Sequence, residues 1–88
     1  MFRLWGKVIK DNRILWDYVY ENDSTQLNRT RKVFDGLECI CKEYDLSVPI
    51  WLDNNINDFK RADKTRFNSD CFIDHIDFDY LEIHVIEE

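Results

Sequence analysis

Apolar and polar residues alternate along the first part of the chain, and this alternation predicts two β-strands. Residues 2–10 and 13–21 are rich in the β-branched and aromatic side chains that strands favour. Asp11 and Asn12 lie between the two runs, and both residue types tolerate the positive φ of a two-residue hairpin turn. The pattern therefore predicts an N-terminal β-hairpin.

A two-residue turn fixes the register of this hairpin, and the period of two then assigns each side chain to one face. The predicted register pairs Ile9 with Ile14 and Trp5 with Tyr18. One face is mainly aliphatic and is predicted to be core: Phe2, Leu4, Val8, Leu15 and Val19. The other face is aromatic with interspersed cations: Arg3, Trp5, Lys7, Ile9, Ile14, Trp16, Tyr18 and Tyr20. A slip of one residue in the turn would exchange these faces on one strand.

Helical periodicity follows in residues 24–44, which are predicted to form the long helix of the fold. Asp23 is the predicted N-cap, and Gln26 three residues later completes a capping box. Gly36 lies in the helix interior, where glycine is unfavourable, and so indicates a close approach to the sheet. The apolar residues form one stripe: Leu27, Val33, Phe34, Leu37, Ile40, Cys41 and Tyr44.

The middle of the chain predicts two short helical segments. The polar run at 53–55 is expected to cap a helix over residues 56–63. Ser69 is expected to cap one further turn over residues 70–75, with Phe72 and Ile73 as its apolar anchors.

The last segment, from Phe78 to Ile86, alternates again and predicts a strand. Its predicted inner face is aliphatic: Leu81, Ile83 and Val85. We therefore expect residues 1–88 to form a single small α+β domain. In it, an antiparallel sheet from the N-terminal hairpin and the C-terminal strand packs on one long helix, with short helical segments between.

Size and composition set limits on location. The 88 residues are 44% hydrophobic and 15% aromatic, which is typical of a folded domain with one modest core. No apolar run reaches the roughly 20 residues that a membrane helix needs, and the N-terminus lacks a signal-peptide core. Three cysteines are read as reduced thiols, so we expect a cytoplasmic protein without membrane association. The Asn-, Asp-, Ile- and Lys-rich composition is typical of a bacterium or phage with an AT-rich genome.

Charge is distributed unevenly along this acidic chain. The formal net charge is −6, and residues 70–88 contain seven carboxylates and no Lys or Arg, so residues 1–69 sum to +1. This asymmetry sets the sign of a partner's charge. The candidate acidic surface, expected along one rim of the sheet, consists of Asp74, Asp77, Asp79 and Glu82.

A candidate basic patch lies just before this acidic segment. It consists of Lys60, Arg61, Lys64 and Arg66, at the end of the second predicted helix, where cations complement the helix dipole. The patch is either an ordinary solvated helix end or a docking site for an acidic surface. The chain's own residues 70–88 supply such a surface, within one monomer or across a symmetric dimer.

The candidate chemistry is sparse. Cys39 and Cys41 are two residues apart on a helix and point in different directions, which argues against a shared zinc ion. Cys71 and His75, with neighbouring carboxylates, are the remaining combination for a small metal or thiol enzyme, the least favoured hypothesis. No motif for nucleotide binding or nucleophilic catalysis accompanies them. We therefore expect no catalytic residues, no metal and no cofactor.

The strongest candidate interaction surface is the aromatic–basic hairpin face: Arg3, Trp5, Lys7, Trp16, Tyr18 and Tyr20. Its rings are either covered by residues 50–75, used in a protein interface, or free to stack on bases. The sequence favours a small, non-enzymatic, cytoplasmic protein-interaction module that binds a protein partner or a second copy of itself as a homodimer. The alternative is a protein that binds single-stranded nucleic acid through the aromatic–basic hairpin face.

Overall fold

Four antiparallel strands form one sheet, and two helices pack on one of its faces. The computed structural model describes residues 1–88. In chain order, the elements are β1 (Phe2–Lys10), β2 (Arg13–Asn22), α1 (Arg29–Glu43), α2 (Asp53–Ala62), β3 (Lys64–Phe67) and β4 (Tyr80–Glu87). The strand order is β2-β1-β4-β3. The predicted α+β class is confirmed, whereas the single long helix is wrong because a second helix and a fourth strand are present.

Neither helix combines the length and the apolar character required to cross a membrane.

β1 and β2 form the predicted hairpin, but a bulge changes its register. Asp11 and Asn12 have φ values of 53° and 63°, as the turn requires. Ile9 pairs with Ile14 as predicted, but the register shifts there, so that Leu15 is the extra residue on β2. Every pair farther from the turn is displaced by one residue. The predicted faces of β2 are therefore exchanged over most of its length.

The exchange decides which β2 side chains enter the core. Trp16, Tyr18 and Tyr20 pack against the buried cluster. Leu15 and Val19, which were predicted to be core, are 54% and 39% exposed. The physical reason is the bulge, because one inserted residue reverses the alternation of everything beyond it.

α1 is shorter than the predicted helix and begins at Arg29. Its N-cap is Asn28, whose side chain accepts a hydrogen bond from the Arg31 N–H at 2.8 Å, so Asp23 with Gln26 was the wrong cap. Residues 22–26 instead form local turns, in which the Ser24 N–H donates to the Asn22 side chain and the Gln26 N–H donates to the Ser24 hydroxyl. Such side chain–backbone bonds compete with helix formation.

Gly36 marks the predicted close approach between α1 and the sheet. A Cβ at this position would lie 2.8 Å from side-chain atoms of both Leu4 and Tyr20. Gly6 of β1 also lies at a close approach to α1, since a Cβ there would lie 2.6 Å from the Ile40 side chain. The two glycines let the helix and the central strand approach closely.

α2 and β3 are joined through a buried asparagine. α2 begins at Asp53, before the predicted start, and ends at Ala62; the next residue, Asp63, caps it with a left-handed φ of 58°. Asn55 is 0% exposed; its amide donates to the Thr65 hydroxyl and the Arg66 carbonyl, both at 2.9 Å. Its side-chain oxygen accepts from the Leu52 N–H at 2.9 Å. Asn55 thereby fixes the start of α2 against β3.

The segment between β3 and β4 contains one turn of 3₁₀ helix over Ser69–Cys71, shorter than the predicted turn. Asn68 rather than Ser69 caps it, by accepting from the Asp70 N–H at 3.0 Å. Of the two predicted anchors, Phe72 is buried as expected, whereas Ile73 is 86% exposed.

The core lies between the two helices and the face of the sheet toward them, which we call the inner face. The predicted inner residues of β4 are buried there, with Leu81 and Ile83 both 0% exposed. Trp51 sits under α2 and makes edge-to-face contacts with Phe59 and Phe67, at centroid distances of 5.6 and 5.1 Å. No helix packs on the opposite face of the sheet, which we call the outer face.

Candidate interaction surface

The outer face carries one row of charged side chains that crosses all four strands. In the strand register, Asp17 of β2 lies beside Lys7 of β1, Lys7 lies beside Glu82 of β4, and Glu82 lies beside Arg66 of β3. The signs alternate along the row, an arrangement that stabilises cross-strand neighbours. The row is assembled from residues that are far apart in the chain.

Glu82 is the centre of this row. Its carboxylate lies 2.7 Å from the Lys7 ammonium and 3.2 Å from the Arg66 guanidinium. The side chains of Glu82 and Lys7 are only 11% and 14% exposed. Burial alone would raise the pKa of Glu82, but hydrogen bonds and charge from Lys7 and Arg66 outweigh it and lower that pKa. The carboxylate is therefore ionised, and both cations are already occupied.

Two aromatic rings flank the charged row. The Lys7 ammonium lies 4.1 Å from the ring centroid of Trp5, whose indole N–H donates to the Asp17 carboxylate at 2.9 Å. On the other side, the Arg66 guanidinium lies 4.6 Å from the centroid of the Tyr80 ring. These are cation–π distances. Lys7 and Arg66, the two cations beside these rings, are therefore also paired with the Glu82 carboxylate.

The predicted aromatic–basic hairpin face is divided between the two sides of the sheet. Arg3, Trp5 and Lys7 lie on the outer face, and Arg3 pairs with the Glu21 carboxylate at 2.9 Å. The rings of Trp16, Tyr18 and Tyr20 lie on the inner side. The prediction that all six share one face is wrong because of the bulge at Leu15.

The inner rings of β2 are covered by α1 and by the residue that follows it, not by residues 50–75. Tyr20 lies against Gly36 of α1. Trp16 packs on Tyr44, with centroids 4.8 Å apart, and stacks on Tyr18 with an interplanar angle of 4°. These rings are therefore part of the packing between the hairpin and α1.

β2 exposes apolar side chains at the edge of the sheet. One side of β2 pairs with β1, and its other side pairs with no strand. Ile14, Leu15 and Val19 are 52%, 54% and 39% exposed, and together we call them the β2 edge patch. Exposed apolar residues on an unpaired edge strand favour pairing with another chain. Predicting the hairpin from alternation alone missed this patch, although one signal was present: three consecutive apolar residues at 14–16 break the period of two.

The candidate basic patch is also divided. Lys60 and Arg61 lie on α2, whereas Lys64 and Arg66 lie on β3. Arg61, Lys64 and Arg66 line one shallow cleft of about 260 Å³ that also contains Asp58 and Glu82. Arg61 pairs with the Asp58 carboxylate at 2.9 Å, so the cleft contains its own counter-ions. Lys60 lines a different groove, between the helices.

The four residues of the candidate acidic surface do not form one surface. Glu82 is on the outer face of β4. The Asp79 carboxylate accepts from the Asp11 N–H at 2.9 Å and so supports the hairpin turn. Asp74 and Asp77 are exposed in the segment before β4.

Basic residues elsewhere in the chain neutralise much of the acidic C-terminus. Arg3 lies 3.4 Å from the Glu87 carboxylate, and Arg29 lies 2.8 Å from the Glu88 carboxylate. Docking of residues 60–66 on residues 70–88 was one of the predicted alternatives. Within the monomer it amounts to one ion pair, between Arg66 and Glu82.

The buried thiols are held in their protonated form. Burial raises the pKa of Cys41 to about 12, and burial is also the main cause that raises the pKa of Cys71. The Cys71 sulfur lies 3.5 Å from the side-chain oxygen of Asn55, which is itself fully buried. The 3₁₀ turn ends at Cys71, so His75 does not share a helical face with it. No group of three His, Cys, Asp or Glu residues in the chain is arranged to hold a metal ion.

Comparison with models of known protein families, with curated proteins and with solved structures finds no match to this chain.

Proposed function

We propose that this chain is a small, non-enzymatic protein-interaction module that pairs with a second copy of itself through β2. The observation that carries the proposal is the β2 edge patch, which lies on an edge strand of ten residues with one side paired to no strand. The three cysteines are all free thiols, which supports a reducing compartment such as the cytoplasm.

Strand addition explains why an edge, rather than the middle of a face, is the contact. An added strand supplies main-chain hydrogen bonds to the free N–H and C=O groups of β2, and side chains on one face then meet across the new junction. Natural edge strands are commonly protected by Lys, Pro or strong twist. β2 contains no Lys and no Pro, and its one bulge, which increases the local twist, lies near the turn at Leu15.

Nucleic-acid binding, the alternative from the sequence, receives less support. Such proteins place open rings beside free cations. Of the six residues of the predicted aromatic–basic hairpin face, only Arg3, Trp5 and Lys7 lie on the outer face. Carboxylates pair with both of those cations, at 2.9 Å for Arg3 and 2.7 Å for Lys7.

The experiment that tests the proposal is the solution mass by light scattering, for the wild type and two matched variants. The wild type is expected to have twice the monomer mass of 10.8 kDa. Leu15→Lys places a charge on the edge and is expected to give a monomer. Ile73→Lys makes the same kind of change at a residue that is 86% exposed outside the sheet, and is expected to stay dimeric.

A monomeric wild type at every concentration would overturn the proposal, as would a Leu15→Lys variant that remains a dimer. Circular dichroism of each variant checks that the fold is kept, so a change in mass is not mistaken for unfolding.

A further inference from the structure

A second surface lies between the helices, away from the outer face and β2. Side chains of α1 and α2, together with Trp51, line a groove of about 380 Å³. Pockets for small molecules usually enclose about 300–1,000 Å³, so the groove is of a size for a small ligand and not for a folded partner. Its lining residues are Arg29, Thr30, Val33, Phe34, Trp51, Ile56, Phe59 and Lys60.

We infer that this groove binds a small organic anion with an apolar body, such as a medium-chain carboxylate. The apolar body would lie between the helices, and the carboxylate would lie at Lys60. The inference is independent of the pairing of β2, because none of the lining residues belongs to the sheet.

Exposed aromatic and aliphatic side chains in the groove would contact the apolar body of the ligand. Phe34 is 49% exposed and Ile56 is 40% exposed, although both lie in a concave surface. The ring of Phe34 meets that of Trp51 edge-to-face at 5.8 Å, and Trp51 meets Phe59 in the same way at 5.6 Å. A ligand in the groove would remove this apolar surface from water, which is the main driving force for binding such a body.

The charges around the groove favour an anionic ligand. None of the lining residues is acidic, in a chain whose net charge is −6. Arg29 is already shared by the Asp63 and Glu88 carboxylates, at 2.6 and 2.8 Å. Lys60 has no carboxylate partner and is the cation left to pair with a ligand.

Trp51 provides a reporter for this site. Its indole nitrogen is buried and has no hydrogen-bond partner in the chain, which is uncommon for a buried donor. The other two tryptophans, Trp5 and Trp16, lie on the hairpin. The three indole N–H signals in a nitrogen–proton correlation spectrum therefore separate the groove from the sheet.

The test is a titration of the labelled protein with octanoate, octan-1-ol and acetate. Octanoate is expected to shift the Trp51 indole signal saturably and leave those of Trp5 and Trp16 in place. Octan-1-ol, which lacks the charge, and acetate, which lacks the apolar body, are expected to bind much more weakly.

Matched variants locate the two parts of the ligand. Lys60→Glu is expected to weaken octanoate binding about fivefold to tenfold, from the loss of one partly exposed ion pair and its replacement by repulsion. Lys64→Glu makes the same charge change on β3, outside the groove, and is expected to leave the affinity unchanged. Ile56→Glu is expected to abolish binding, whereas Ile73→Glu is not.

Three results would overturn the inference. One is the absence of a saturable shift at Trp51. Another is equal binding of octanoate and octan-1-ol, which would remove the preference for an anion. The third is a Trp51 shift that follows protein concentration without ligand and disappears in Ile56→Glu, which would make the groove a contact between copies. Light scattering of Leu15→Lys is unaffected by these outcomes, so failure here is distinct from failure of the proposed pairing through β2.

Discussion

The two faces of the sheet are stabilised in different ways. The inner face is apolar and is closed by α1 and α2, with Leu4 and Leu81 both 0% exposed. The outer face has no helix on it. At its centre, Lys7, Glu82 and Arg66 form ion pairs across neighbouring strands. Apolar packing therefore stabilises the inner face, and ion pairing stabilises the centre of the outer face. Apolar side chains of the sheet then reach solvent mainly at the edge strand β2.

Two leucines of the same hairpin give the largest expected contrast between these environments. Leu4→Ala on the inner face is expected to lower the free energy of unfolding by about 2–5 kcal/mol, because it empties a buried site. Leu15→Ala, at a residue that is 54% exposed, is expected to change the unfolding free energy of the monomer by about 0.5 kcal/mol or less. Denaturant titrations at a concentration where light scattering finds monomer measure both. Equal losses would mean that the bulge, and with it the assignment of faces, is wrong.

A buried amide on the inner side gives the next largest effect. Asn55→Ala leaves the buried Thr65 hydroxyl and the partly buried Leu52 N–H without their side-chain partner. Each buried group left unpaired costs about 1–3 kcal/mol, so the variant is expected to lose that much or more. Asn54→Ala, at the exposed neighbouring residue, is the control and is expected to be nearly neutral. Similar melting temperatures for the two variants would contradict the role given to Asn55.

A buried carboxylate on the outer face gives a smaller, pH-dependent effect. The pKa of Glu82 is lower in the folded chain than in the unfolded chain. Its contribution to stability is therefore complete above the unfolded pKa of about 4.3 and is lost as the pH falls through the folded pKa. Glu82→Gln is expected to be about 1–3 kcal/mol less stable at neutral pH, since it loses charged hydrogen bonds. It should also be less sensitive to acid than the wild type.

The control for this pH dependence is Glu38→Gln, at an exposed carboxylate of α1 without an ion-pair partner. Chemical denaturation from neutral pH to pH 3 should give parallel curves for the wild type and Glu38→Gln. A Glu82→Gln curve that also runs parallel to them would mean that the charged row contributes nothing to the stability of the outer face.

Features set by neighbouring residues were predictable from the sequence. The turn at Asp11 and Asn12, the close approach at Gly36 and the buried face of β4 all follow from local pattern. The start of α1 was not predictable in this way, because Asp23 and Asn28 are both good caps and the turns at residues 22–26 decide between them. β3 was missed because four residues are too few to show a period, and its place depends on contacts with Asn55 and Glu82.

The candidate surfaces were less predictable than the fold. Side chains of Lys7, Glu82 and Arg66 meet only because β1, β4 and β3 become neighbours in the sheet, and nothing local to any of them indicates this. The prediction of the aromatic–basic hairpin face was wrong for a different reason. One extra residue at Leu15 reverses a whole strand, so an error of one position in the register moved three rings to the other side.

Amide hydrogen exchange along β2 tests the central claim, that this unpaired edge is the contact with a second copy. Antiparallel pairing would give partners to the N–H groups that point away from β1. The account predicts that these groups exchange slowly in the wild type, that their protection rises with protein concentration, and that Leu15→Lys abolishes it. Fast exchange of the same groups at every concentration would contradict pairing through β2.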